Sequence, residues 1–285
     1  MQASRSSSKP PTRCVRVRGN ELHYTDLGAG AVVVLVHGGV GDYQSWEPQI
    51  GPFSDRFRVL SYSRRYSFPN RNQPIAPDYS VYAEADDLAA LIGRLQLGRT
   101  HLVGHSYGAF VALIVALEQP EMVRTLTLAE PPVHRCVLDL PEGSALFERM
   151  ASDTWAPVRS ALAASDMEGA IRVFTDGIGG PGYFESLPAE ARAARLRNVR
   201  ALQALMQPSD AFPALAAEDL RRLSVPTLIV EGETTIRIHR LVDDELLRCI
   251  PGSTRKIIAG AGHGAPRDNP DAFNQAVLRF LSGGG

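Results

Sequence analysis

The chain has 285 residues, with 30 Lys and Arg against 31 Asp and Glu and a formal net charge of −1. That balance gives no electrostatic basis for nucleic acid or an anionic membrane surface as a partner, and no apolar run approaches the roughly 20 residues of a membrane-spanning helix. The length suffices to bury a large core, and α/β chains of this size commonly form around one sheet.

Residues 1–12 are rich in Ser, Pro and basic residues. They lack an apolar h-region and so do not read as a secretory signal. A disordered arm is expected there, with a targeting segment as the alternative because the stretch is basic and has no acidic residue. Cys14, Cys136 and Cys249 have neither metal nor redox spacing and read as reduced thiols of a cytoplasmic protein. Gly283-Gly284-Gly285 reads as a loose tail.

Alternating apolar and polar residues over 12–18 and 21–26, around Gly19-Asn20, predict an antiparallel hairpin. Val32-Val33-Val34-Leu35-Val36 then reads as a fully buried strand running into His37-Gly38-Gly39. A strand followed by His-Gly-x marks a loop whose backbone N–H groups hold an oxyanion. Gly39 is the expected donor, with Val40 as its substitute, and His37 is expected to brace the loop through its ring nitrogens. A helix over 45–53 leads to a strand at 57–62 and then to Ser63-Arg64-Arg65-Tyr66. The two arginines either bind an acidic substrate group or belong to a solvated or salt-bridged loop, the preferred reading. Residues 81–95 form an amphipathic helix with Leu88, Leu91, Ile92 and Leu95 on one face.

A strand at 100–103 precedes Gly104-His105-Ser106-Tyr107-Gly108, and a helix over 107–118 follows. This is a G-x-S-x-G elbow: the serine needs a sharp turn so that its hydroxyl stands clear, and the glycines leave room for the strand–helix crossing. The helix start offers the Tyr107 N–H to a developing oxyanion. His105 either contacts substrate or packs beside the elbow. The next strand, 125–129, ends at Glu130 before Pro131-Pro132.

The strand–helix alternation breaks over 133–223, where helices are expected at 144–151, 155–164, 167–177 and 187–206. They read either as a lid over the strand ends or as an extension of the core. Trp155, Phe174, Tyr183, Phe184 and Met206 are candidates for an apolar pocket, although lid packing explains such residues equally well. A strand at 227–230 is followed by Gly232-Glu233-Thr234-Thr235. A helix over 239–249 carries His239 and Asp243 at i, i+4; without a third ligand in view they read as a polar helix face, not a metal site. A strand at 255–258 leads to Gly260-Ala261-Gly262-His263-Gly264, and a last helix spans 270–281.

The His-Gly-Gly loop, the serine elbow and the late histidine stand in the order and strand–loop contexts of the α/β-hydrolase superfamily, which the chain resembles over roughly residues 13–282. The resemblance implies an α/β fold, a mostly parallel central sheet with helices on both faces, its core formed by 13–132 and 224–282, and a helical lid over 133–223. It implies Ser106 as nucleophile, His263 as base, Gly39 and Tyr107 as oxyanion donors, and no cofactor or metal. Many members place the acid just after the strand at 227–230, but here that position holds Thr235, which carries no charge to balance an imidazolium. Glu130 is the expected acid; some subfamilies, haloalkane dehalogenases and zearalenone lactonases among them, carry theirs at this strand end. Glu233 and Glu231 are the fallbacks.

The resulting expectation is a serine hydrolase acting on a small-molecule carboxylic ester or lactone through an acyl-enzyme, the substrate being bulky and apolar, such as a macrocyclic lactone. The serine argues against epoxide hydrolase or dehalogenase chemistry. A C–C bond hydrolase, a cofactor-free haloperoxidase, a non-catalytic ligand receptor and a scaffold with a degenerate site stand as alternatives. The sequence does not set the oligomeric state.

Overall fold

The structure is a computed structural model and describes residues 11–77, 79–208 and 212–283. Residues 1–10 of the expected arm and 284–285 of the expected tail lie outside the described residues.

Strands β1 (Arg13–Val17) and β2 (Asn20–Leu27) pair antiparallel with Val17 opposite Asn20. Their turn centres on Arg18 and Gly19, at φ 47° and 82°, one residue earlier than the sequence suggests. Two left-handed residues give the turn a twist that matches the strands. The remaining strands are β3 (Val32–Val36), β4 (Arg58–Tyr62), β5 (Thr100–His105), β6 (Val123–Ala129), β7 (Thr227–Gly232) and β8 (Thr254–Ile258). In space the sheet runs β1-β2-β4-β3-β5-β6-β7-β8, antiparallel at β1/β2 and β2/β4 and parallel elsewhere.

The core helices are α1 (Glu47–Ser54), α2 (Val81–Arg94) and α3 (Tyr107–Glu118). Between β6 and β7 come α4 (Pro141–Met150), α5 (Ala156–Ala163), α6 (Met167–Gly179), α7 (Tyr183–Ser186), α8 (Ala189–Arg197), α9 (Val199–Met206) and α10 (Ala217–Arg221). The chain closes with α11 (Arg237–Cys249), α12 (Ala265–Asp268) and α13 (Pro270–Leu281). The single helix expected over 187–206 is two helices, α8 and α9. Asn198 separates them because its side chain is committed to other partners: its amide donates to Asp42 Oδ2 and to the Ala194 carbonyl, each at 2.8 Å, and its oxygen accepts the Phe68 N–H.

The period-2 alternation of the strands divides the core. Val34, Val36, Leu60, Leu102, Leu126, Leu128 and Ile229 pack under α2, α3 and α11. Val33, Leu35, Val59, Val103, Leu228 and Val230 pack on the other face with Phe53 of α1 and Phe273 and Val277 of α13. With both faces covered, the central strands are apolar almost throughout. Among the described residues no helix is long and apolar enough to cross a membrane.

The parallel register places Val36 beside Gly104, His105 beside Ala129, and Ala129 beside Val230. His37, Ser106 and Glu130, which follow these strand ends, and Glu231 near the end of β7 therefore emerge along one edge, the C-terminal edge at which α/β sheets carry their sites.

Candidate active site

Ser106 lies between β5 and α3 with φ 52° and ψ −126°, a conformation unfavourable for a residue with a Cβ. Its N–H is fixed to the Ala129 carbonyl at 2.8 Å, and its carbonyl accepts from Ala109 and Phe110 at 2.8 and 3.2 Å. The flanking glycines are required by contact: a Cβ on Gly104 would lie 2.4 Å from Ala109 Cα, and one on Gly108 would lie 2.2 Å from the Val36 carbonyl oxygen. The elbow thus presents the Ser106 hydroxyl at the sheet edge.

Nε2 of His263 is 3.0 Å from Ser106 Oγ, and its Nδ1 is 2.7 Å from Glu130 Oε2. Glu130, also at positive φ (47°), ends β6 and is buried. Its Oε1 accepts the Gly232 N–H at 2.8 Å, and its Oε2 accepts the Thr235 hydroxyl at 2.8 Å. Both fallback acids stand apart: Glu231 is paired with Arg240 and Arg255, and Glu233 accepts the Gly260 N–H. In the hydrogen-bonded row Ser–His–Glu, the imidazole can take the serine proton while the carboxylate fixes the tautomer and faces the resulting positive charge. Burial, then the cations Arg195 and Arg267, push the His263 imidazole below its usual range, which keeps it neutral and able to accept that proton. His105 Nε2 bonds the His263 carbonyl at 2.7 Å, so His105 braces the histidine loop as well as lining the cavity.

His37 holds the loop after β3 through both ring nitrogens: Nδ1 meets the Gly38 carbonyl at 2.9 Å, and Nε2 accepts the Arg64 N–H at 3.0 Å. Arg64 reaches the same loop with Nη2, which donates to the carbonyls of Gly38 and Gly39, each at 3.1 Å. In a planar trans peptide the N–H points opposite the carbonyl. With the two carbonyls turned to Arg64, the N–H groups of Gly39 and Val40 face away from it. Arg64 is paired with Glu84 at 3.0 Å and Arg65 with Asp87 at 2.7 Å, all four residues buried. These arginines are thus neither solvated nor part of the cavity lining.

The polar-face reading of His239 and Asp243 is corrected: both are buried. The His239 ring stacks on His263 with centroids 4.4 Å apart and planes 18° apart, and His134 also stacks on His239, at 5.6 Å. The signal was present in the sequence, since His239, Val242, Asp243 and Leu246 follow the i, i+3, i+4, i+7 spacing of one buried stripe. Burial, and then the nearby Glu130 and Glu231 carboxylates, push the Asp243 carboxyl well above its usual range. One donor atom each from Glu130, His239 and His263 lies within 4.8 Å of the others, the geometry of a metal triad, although His263 and Glu130 are already bonded to each other.

A cavity of about 450 Å³ opens beside Ser106 and His263, lined by the 38–42 loop, by α6 and α8, and by the 263–267 turn. Of the aromatic candidates, Phe174 and Tyr183 line it. Trp155, Phe184 and Met206 do not: Trp155 stacks on Phe212 at 5.1 Å, Arg172 covers the Phe184 ring, and Met206 is buried in the core. Large apolar side chains in inserted helices pack first against one another, which the sequence pattern does not separate from pocket lining. The sequence reading also missed three arginines that line the cavity, Arg195, Arg197 and Arg267. Ala191, Ala194 and Arg195 share one face of α8, but arginines on a helix as rich in them as this one, with Arg192, Arg195 and Arg197, read as solvated.

Known proteins resemble the chain over nearly its full length. 2-(Acetamidomethylene)succinate hydrolase of Mesorhizobium japonicum is 27% identical over 99% of this chain and 99% of its own. A putative non-heme chloroperoxidase of Synechocystis is 30% identical over 92% of this chain and 95% of its own. The enol-lactonase of Burkholderia xenovorans superposes with a TM-score of 0.77 at 20% identity, covering 95% of this chain and 100% of that one, a likeness of fold. The model of the "Alpha/beta hydrolase family" matches residues 33–276, from β3 through the elbow and His263 into α13; the chain belongs to that family.

Proposed function

We propose that this protein is a serine hydrolase that cleaves a carboxylic ester or lactone through an acyl-enzyme and needs no cofactor. The observation that carries the reading is the buried row from Ser106 Oγ through His263 to Glu130, with contacts of 3.0 and 2.7 Å. Ser106 attacks the carbonyl carbon as His263 Nε2 takes its proton, and Glu130 stabilises the imidazolium. The N–H groups of Tyr107, at the start of α3, and of Gly39 receive the oxyanion. His263 then returns its proton to the leaving oxygen. In the second half it takes a proton from water as the water attacks the acyl carbon, and it then returns that proton to Ser106 Oγ as the acid leaves. Helices α4 to α10 act as the lid that limits water at this point.

The cavity suits an acyl compound that carries a polar end, and its size also admits the bulky apolar group that the sequence suggested. Its volume is about 450 Å³ and three of its lining side chains are arginines. The name of the succinate hydrolase above fits the same direction. A fluorophosphonate probe should label Ser106 in the wild-type chain and not in S106A, and a panel of short esters and lactones should show turnover that S106A lacks. Absence of both labelling and turnover in folded protein would leave a ligand receptor as the better reading.

A further inference from the structure

We propose that Arg195 is a carboxylate-binding residue, so that the substrate is an ester or lactone carrying a second, ionised carboxylate. This rests on the hydrolase reading for the reaction but not for the binding.

The cavity's three cations differ in their partners. Arg197 donates to Asp42 at 2.9 Å and to Gln44 at 2.6 Å. Arg267 donates to Asp268 at 2.7 Å and to the Tyr183 hydroxyl. Arg195 has no ion pair among the described residues: its Nη1 makes one 3.4 Å contact with the Ala191 carbonyl, and its Nε is buried with no hydrogen-bond partner. Arg195 is half-buried, and its buried, unmatched Nε is costly to the free protein. Burial and the neighbouring Arg267 lower the Arg195 guanidinium to about 10, so it is still charged at neutral pH. Of the acidic lining residues, Asp42 is taken by Arg197 and Asn198, while Glu47 and Glu190 are exposed; none of them, nor Asp268, which is paired with Arg267, makes an ion pair with Arg195 among the described residues.

A guanidinium presents its N–H groups as a planar fork that a carboxylate matches in two places. Arg195 shares the cavity with Ser106 and His263, so one ligand can place a carbonyl at Ser106 and a carboxylate at Arg195. The vacant donors then gain an acceptor, and a neutral ester of the same shape leaves them bare. That asymmetry selects the anion.

The test compares p-nitrophenyl hydrogen glutarate with p-nitrophenyl methyl glutarate, equal in length and different in one charge. The wild-type enzyme should prefer the anionic ester in kcat/KM by at least about tenfold, and in R195M that ratio should fall about tenfold to a hundredfold, the range for one charge-assisted contact. R195K should recover part of it, and R195Q serves if R195M does not fold. Binding is read separately: S106A should bind monomethyl glutarate more tightly than dimethyl glutarate by calorimetry, and S106A/R195M should lose the difference. An R195M ratio within twofold of wild type, with equal binding of the two glutarates to S106A, overturns the proposal while turnover of both esters leaves the hydrolase reading intact. Absence of turnover with Arg195-dependent binding of the monoanion overturns the hydrolase reading and upholds the anion site.

Discussion

The Thr235 hydroxyl donates to Glu130 Oε2 at 2.8 Å, the same oxygen that meets His263 Nδ1 at 2.7 Å. The threonine occupies the loop position at which the family resemblance implies an acid. Here the charge sits at the end of β6 and the loop supplies a donor that orients it.

Glu130→Gln should lower kcat/KM by a factor approaching ~10⁴, the scale seen when the acid of such a row is neutralised. Thr235→Val removes one hydrogen bond to the carboxylate and should cost about tenfold. Glu233→Gln should stay within about threefold of wild type, because Glu233 contacts the Gly260 N–H and not His263. Steady-state kinetics of the three on one ester, with circular dichroism for folding, checks this. A dead Glu233→Gln beside a near-normal Glu130→Gln would reverse the assignment.

What was legible in the sequence was what sterics and periodicity dictate. Gly104 and Gly108 could be read because only glycine tolerates backbone at 2.4 and 2.2 Å from its Cβ position. Glu130 could be read because Thr235 left a charge unaccounted for. Arg64 and Arg195 could not. Whether an arginine on a loop or helix is solvated, paired in the core or left without an ion pair in a cavity depends on residues far along the chain: Glu84 pairs with Arg64, and Asp268, the acid near Arg195, is taken by Arg267.

The elbow strain should be measurable apart from catalysis. Ser106→Ala and Ser106→Gly both remove the hydroxyl and should both abolish turnover. At φ 52° and ψ −126° alanine retains the strain and glycine relieves it, so Ser106→Gly should be the more stable by about 1 kcal/mol. Chemical denaturation of the pair checks this, and equal midpoints would mean that the turn stores no strain.

Acid should unfold this protein early. Burial pushes six imidazoles below their usual range: His37, His101, His105, His134, His239 and His263. In the unfolded chain each takes up a proton near pH 6.5, while in the folded chain each stays neutral to lower pH. The unfolded state therefore binds more protons below about pH 6.5, and stability falls as pH falls, by up to about 1.4 kcal/mol per pH unit for each imidazole. Melting temperature measured from pH 8 to pH 5 should be flat down to about pH 7 and drop steeply below it.

The same sign governs activity. In the proposed mechanism neutral His263 is the base, and its lowered pKa should extend activity to the acid side of the ordinary histidine range. On a neutral ester, kcat/KM should hold from pH 8 to about 6 and half-fall below about 6. Because Arg195 contributes to lowering that pKa, Arg195→Met should move the acid limb upward. A wild-type midpoint at or above 7 in folded protein would contradict the assigned cause.

Arg64→Lys tests whether the oxyanion loop is aimed from behind. Lysine keeps the charge that faces Glu84 but loses the planar fork that spans the two glycine carbonyls at 3.1 Å. With those carbonyls released, the Gly38–Gly39 and Gly39–Val40 peptides can rotate, and the N–H groups no longer meet the oxyanion as a fixed pair. Loss of one such donor is worth about 10²–10³ in kcat, so Arg64→Lys should lower kcat by about a hundredfold with little change in KM. Fluorophosphonate labelling, which passes through a similarly charged oxygen, should slow in parallel. The readout that separates aiming from general damage is the ratio of the two effects. A folded Arg64→Lys that raises KM and leaves kcat unchanged would show that Arg64 shapes the binding site and does not aim the donors.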